Sequence, residues 1–320
     1  MYTVGSTAGV ADPGDGLRSV TFENSFKIIP QLSNAGSTAR CEMKLQQFQS
    51  ATQFYQRVED YLLRSEAEHN LPLGILHTLR EYPERYEALP YLALVQAAGK
   101  TLAVAIRTPP RGLVLSKTVD LSALQLIAQD LDALQVDLPG VMGAVQETHA
   151  FAAMWNALTG KSHRIKTNLR IHQLNTVQPV AKAQGSLRLA TTSDRTLLLQ
   201  WFQAFDLEAF GESQEDTERV VDLQLRRGGV YLWEDGVPVS MASGRWSTPN
   251  GGRIGPVYTP PEYRQKGYAT ACVAAISQVL LDQGCRYCFL FTDLSNPTSN
   301  RIYRTIGYWP VCDWQECTFG

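Results

Sequence analysis

One order of secondary structure runs twice along this 320-residue chain, and that repetition constrains the fold more than any single motif. Apolar residues recur with helical spacing from Leu45 to Arg64, then again from about Leu73 to Arg80. Three strand-like runs follow, "YLALVQA" from Tyr91, "LAVAIRT" from Leu102 and "GLVLSK" from Gly112, with turns marked by Gly99 and Pro109-Pro110. A helix over about Leu121–Leu134, the short run "GVMG", a helix over Val145–Leu158 and the alternating strand "RIKTNLRIHQL" close the first half. The second half repeats this order. "TTSDRTLLLQWFQAF" gives a helix with Ser193 or Asp194 as N-cap, and Glu215–Arg226 gives another. "VYLWED" and "VPVSMASGRW" flank the hairpin pair Asp235-Gly236, and "RIGPVYT" is the third strand. Helix Tyr268–Asp282, strand "CFLFTDL", helix Pro297–Ile306 and strand "YWPVCDWQECTF" complete it. The expectation is two α+β copies, residues 43–175 and 186–320, the first degenerate. Residues 1–42, rich in small polar residues, read as a disordered leader.

Hydrophobic residues at 44% and charged ones at 19% describe an ordinary globular chain with ample core. Lys plus Arg at 29 against Asp plus Glu at 31 gives no basic excess, so nucleic acid is not expected as a partner. The most apolar window, Tyr91–Ile106, is broken by Gln96, Gly99 and Lys100; no membrane span and no secretory signal are expected, and the location expected is cytoplasmic. Cys285 and Cys288 have CxxC spacing, but Cys312 and Cys317 are badly placed to complete a zinc site and no HExxH occurs. Free thiols and no metal are the expectation.

The chemistry concentrates in "VYTPPEYRQKGYATACVAAISQVLL", Val257–Leu281. Pro260 and Pro261 fix the exit from a strand, Arg264 and Lys266 bring positive charge, and Gly267 lets a backbone approach a ligand. The helix that follows presents unpaired N–H groups at its positive end, beside the small residues Ala269 and Thr270. This is an anion cradle, yet neither G-x-x-x-x-G-K-[ST] nor G-x-G-x-x-G is present. Pro256 cannot donate to a ladder, so its strand should part from a neighbour nearby. In the next helix Asn296, Asn300 and Tyr303 form one polar stripe between the cap pair Asn296-Pro297 and the C′ residue Gly307.

Arg264-x-x-Gly267-x-Ala269, set between strand and helix, resembles the R/Q-x-x-G-x-G/A acetyl-CoA signature of the GNAT superfamily of N-acetyltransferases. The resemblance is sharp over Ile254–Tyr308 and looser over Leu187–Phe319. It implies an α/β/α sandwich around a mixed, mostly antiparallel sheet with splayed strands, expected here in two tandem copies. It also implies that the amides of Gln265 to Thr270 hold the pyrophosphate of acetyl-CoA. Val257, Tyr258 and Thr259 would bind the pantetheine arm through backbone groups, with the N–H near Val257 polarising the thioester carbonyl. The cofactor-binding set is then Val257, Tyr258, Thr259, Arg264, Gln265, Lys266, Gly267, Tyr268, Ala269, Thr270, Asn296 and Asn300. Tyr303 would be the general acid that protonates the departing sulfur.

The resemblance places Glu208 and Glu212 in the segment that shapes the acceptor pocket, where either could take the amine's proton; solvated surface carboxylates are the commoner case, and neither is assigned as base. Trp201, Phe202, Phe205, Trp246 and Arg245 could line an acceptor pocket, although aromatics at helical spacing are more often core. The function expected is acetyl transfer from acetyl-CoA to a primary amine on a small molecule or peptide. The competing reading is a non-catalytic acyl-CoA-binding or regulatory module; a longer acyl chain or an oxygen acceptor also stays open. The first half, with "LVLSKTVDLSAL" in place of the cradle, is left with packing, the acceptor site or homodimerisation as its role.

Overall fold

The computed structural model describes residues 17–19, 42–211 and 216–320. The expected leader therefore lies outside the described residues apart from the strand β1 (Leu17–Ser19). The first half contains β2 (Met43–Phe48), α1 (Ala51–Leu63), α2 (Asn70–Glu81), β3 (Tyr91–Ala97), β4 (Lys100–Arg107) and β5 (Leu113–Leu115), then α3 (Ala123–Ala133), β6 (Gly140–Ala144), α4 (Val145–Thr159) and β7 (His163–Leu174). The second contains β8 (Ser186–Leu189), α5 (Arg195–Phe210), α6 (Thr217–Arg226), β9 (Val230–Asp235), β10 (Val237–Trp246) and β11 (Gly251–Tyr258), then α7 (Tyr268–Asp282), β12 (Tyr287–Asp293), α8 (Pro297–Ile306) and β13 (Trp309–Phe319).

The repeated order is present, and each copy gains an opening strand. Leu45–Phe48 is a strand and not the start of a helix: "MKLQQF" buries Leu45 and Phe48 against β3, and Ser50 then caps α1 by accepting from Gln53 N. "SLRL" forms β8 by pairing with β9, which its length alone could not signal. At the head of α5 neither Ser193 nor Asp194 caps the helix with its side chain; Thr191 and Asp194 instead close a capping box on a 3₁₀ turn.

All strands join one sheet in the order β1-β2-β3-β4-β5-β6-β13-β7-β12-β11-β10-β9-β8. Only β5/β6 and β11/β12 are parallel pairs, one in each half; the rest are antiparallel. The two halves exchange their final strands. β13 lies between β6 and β7, and β7 lies between β13 and β12. Helices cover both faces: α3 and α4 build one core on the first half, α1 and α2 another on its opposite face, and α7 with α8 and α5 with α6 do the same on the second half.

Candidate functional site

A fork in the sheet creates the site. β11 runs parallel to β12 only over Gly251–Arg253, paired with Tyr287–Phe289. From Ile254 to Tyr258 it keeps β10 on one edge and, among the described residues, has no strand on the other, while β12 continues alongside β7 to Asp293. The break coincides with a bulge: Ala242 faces Val257, yet Gly244 faces Ile254, so β11 carries one extra residue around Gly255 (φ 129°) and Pro256. The parting expected at Pro256 thus begins immediately after Arg253.

Beyond the fork the chain makes a 3₁₀ turn over Pro261–Tyr263, closed by Arg264 Nε donating to Thr259 O at 2.8 Å. Gln265 (φ 63°) and Gly267 (φ 84°) are both left-handed, with Lys266 between them in ordinary backbone. That alternation is the backbone pattern of an anion-binding nest. Gln265 accepts an unfavourable conformation to make it. A Cβ at Gly267 would point towards Ala183, 3.9 Å away, on the linker that joins the halves. Among the described residues none of the six successive N–H groups from Gln265 to Thr270 meets an acceptor; the first satisfied amide of α7 is that of Ala271, donating to Gly267 O at 3.0 Å. The side chain of Tyr268 is committed elsewhere, donating to Asp235 Oδ2 at 2.6 Å and pinning α7 to the β9–β10 hairpin.

Tyr303 projects from α8 into the core under the fork, with Cys272, Leu174 and Ile306. Its hydroxyl has no hydrogen-bond partner among the described residues, and burial pushes its pKa well above the ordinary tyrosine value. Tyr308, edge-on at 6.0 Å, is by contrast held by Ser277 Oγ at 2.8 Å.

Two of the expected ligand-facing side chains are spent on the fold. Asn296 Oδ1 accepts from Ser299 N at 3.0 Å as the cap of α8. Asn300 Nδ2 donates to Asp293 O and Asn296 O, at 3.0 and 2.8 Å, and its Oδ1 accepts from Thr292 Oγ1. Both amide hydrogens of Asn300 are used, each as a second donor to a carbonyl of the tight reversal from β12 into α8 that already accepts a backbone N–H. Glu208 holds Arg264 with both oxygens, and Glu212 lies outside the described residues. Trp201 and Phe202 are core residues, 8% and 4% exposed, packed with Tyr258 and Val221 under α5; Phe205 packs edge-on against Phe210. Of the acceptor-side residues weighed from sequence, Arg245 does reach a partly buried position beside the fork.

Residues 196–308 match the sequence model of the Acetyltransferase (GNAT) family. Residues 196–308 form a GNAT-family domain. Comparison with curated proteins returns no match. Among solved structures the whole chain is similar to a Drosophila protein (TM-score 0.62, 10% identity, 96% of this chain and 99% of that one). It is also similar to a GNAT-family acetyltransferase from Colwellia psychrerythraea (0.54, 12%, 86% and 98%) and to a tandem GNAT protein from the clavulanic acid biosynthesis pathway (0.54, 14%, 87% and 98%). These are likenesses of fold, and they extend the GNAT architecture over both halves.

Against the GNAT domain's open loop, the equivalent turn of the first half is closed. Lys117 N donates to His69 Nε2 at 3.1 Å, Thr118 N to Glu147 Oε1 at 2.9 Å, Val119 N to Leu102 O at 3.1 Å and Ser122 N to Asp120 Oδ1 at 2.9 Å. Acidic side chains occupy amides that the second half leaves free. Among the described residues no helix is long and apolar enough to cross a membrane, and no group of three His, Cys, Asp or Glu side chains could hold a metal ion.

Proposed function

We propose that the GNAT domain transfers an acetyl group directly from acetyl-CoA to a primary amine, and that the chain is two copies of one unit, 43–175 and 186–320, of which only the second binds the co-substrate. The run of unpaired amides from Gln265 to Thr270 carries this reading. Unsatisfied donors at a helix N-terminus, next to Arg264 and Lys266 and with no Cβ at Gly267, fit a pyrophosphate. Tyr258 and Thr259 lead from that nest along the unpaired edge of β11, where Val257 and its neighbours would hold the pantetheine arm by backbone groups. Tyr268, Ala269 and Thr270 contribute through their N–H groups.

Acetyl-CoA supplies a thioester there. Donors fixed beside its carbonyl, in the fork near Val257, would be worth about 3 kcal/mol of barrier. Tyr303 is the general acid: burial keeps it protonated, no neighbour in the protein competes for its hydrogen, and the sulfur it would protonate has a thiol pKa of about 8.5.

Calorimetric titration of acetyl-CoA tests the reading, with Arg264→Ala combined with Gly267→Glu as the control. Binding abolished in the control, with thiol released on adding amines, is the expected result. Absence of binding by the unaltered protein overturns it; binding without turnover on any amine would reduce the domain to an acyl-CoA-binding module.

A further inference from the structure

On the face of the sheet opposite α7, three arginines converge, and none of them forms a salt bridge with a described residue; the carboxylate that acts on Arg227, that of Glu84, is the one that faces Arg226. Arg245 and Arg253 are direct cross-strand partners on β10 and β11, a position where like charges repel. Arg227, just past α6, lies 3.4 Å over the ring of Tyr82 from the first half, and its Nε and one terminal nitrogen are buried with no hydrogen-bond partner among the described residues. The hydroxyls of Ser243 and Ser247, on residues 3% and 2% exposed, are likewise unpartnered. Burial, and then the mutual effect of Arg245, lowers the pKa of both Arg227 and Arg253 to about 10.

The rest of the neighbourhood pairs its arginines. Arg85 and Arg111 share Asp216, Arg195 takes Asp222, Arg219 takes Glu87, and Glu84 faces Arg226 at 3.5 Å. Desolvated guanidinium groups and hydroxyls left unpaired together are costly, and the group that would offset the cost is an anion with several oxygens. The cluster also adjoins the fork. Arg253 is the last residue of β11 paired with β12, and its guanidinium lies 5.1 Å over Phe291, in the part of β12 that has left β11.

We propose that Arg227, Arg245 and Arg253 bind an oxyanion, a carboxylate or phosphate carried by the acceptor molecule, and so select anionic amines as substrates. The first half then contributes a wall of the acceptor pocket through Tyr82. Naming the ligand as the acceptor rests on the transferase reading; the anion site itself does not.

Inorganic phosphate and, separately, succinate are titrated into the full-length protein without acetyl-CoA, following both heat and melting temperature, with sodium chloride at matched ionic strength. At least one of the two anions should bind saturably and raise the melting temperature where chloride does not. Succinate alone assigns a carboxylate, phosphate alone a phosphorylated acceptor. Arg253→Met and Arg227→Gln should each weaken that binding by about tenfold or more. They should melt no lower than the unaltered protein in anion-free buffer, since each removes an unpaired buried cation. Gly267→Glu, which fills the nest, should leave the binding intact. The proposal is overturned if neither anion binds, if the arginine variants bind like the unaltered protein, or if Gly267→Glu abolishes the signal. The same samples are titrated with acetyl-CoA. Binding of acetyl-CoA without either anion sinks this proposal alone, and binding of an anion without acetyl-CoA sinks the transferase reading alone.

Discussion

A terminal nitrogen of Arg264 lies 2.7 and 2.8 Å from the two carboxylate oxygens of Glu208, tying the end of α5 to the turn that precedes α7. Both side chains are about half exposed, so the pair itself is worth no more than about 1 kcal/mol. Its larger effect is on charge, because Glu208 neutralises a cation at the rim of the nest. Glu208→Gln is therefore expected to tighten acetyl-CoA binding by a factor of a few and to leave the melting temperature nearly unchanged. Calorimetry checks the first and thermal denaturation the second. A fall in kcat of a hundredfold or so would instead make Glu208 the base.

Tyr303→Phe should lower kcat by about a hundredfold while acetyl-CoA affinity is retained. Stability should hold within about 0.5 kcal/mol, since the hydroxyl that is lost has no hydrogen-bond partner among the described residues to abandon. A variant that melted much lower would place the hydroxyl in the fold and not in the reaction. Steady-state kinetics and thermal denaturation on one preparation separate the two.

Acid should destabilise the first half through His69. This buried ring donates from Nδ1 to Leu62 O at 2.9 Å and accepts from Lys117 at Nε2, so only the neutral form fits. Burial lowers its folded pKa below the ordinary value of 6.5. Below that value the unfolded chain takes up a proton that the folded chain refuses, and stability falls with pH by up to about 1.4 kcal/mol per unit until the folded pKa is reached. The melting temperature should drop between about pH 7 and about pH 5, and His69→Gln should flatten that slope. An unchanged slope in the variant would assign it to other groups, His77 and His172 among them, whose pKa values burial also lowers.

Trp314, 1% exposed on β13, faces Ala144 of β6 on one side and Leu169 of β7 on the other, and meets Phe291 edge-on at 5.5 Å. Trp314→Ala should cost about 3–5 kcal/mol. Because one strand serves both copies, the loss should lower a single melting transition instead of splitting it. Calorimetry that resolved two independent transitions would contradict the shared sheet.

Element boundaries in the second copy were legible because their signals are local: Asn296 and Gly307 bracket α8, and Asp235-Gly236 turns the hairpin. Partners were not. An alternating run such as "YWPVCDWQECTF" announces a strand without saying that it will insert between β6 and β7. The nest was readable because its donors are consecutive in sequence. The arginine cluster was not, because Arg227, Arg245 and Arg253 belong to three elements, and only the register of β10 against β11 brings two of them face to face. The spacing of Asn300 from Tyr303 indicates a shared helix face, while the carbonyls of the preceding turn, invisible in the spacing, take its amide hydrogens.

The exchange of β7 and β13 also sets a timetable for biosynthesis. β13 is made after every other described strand, yet it fills the gap beside β6, in the half that leaves the ribosome first. Until then β6 has an open edge and β7 has at most β12, itself a late strand, beside it, so the first copy must wait, exposed to chaperones or to stray strands, for the second to be nearly finished. Cutting such a chain at the linker would yield two fragments each lacking a neighbour strand, able to regain activity only by finding each other.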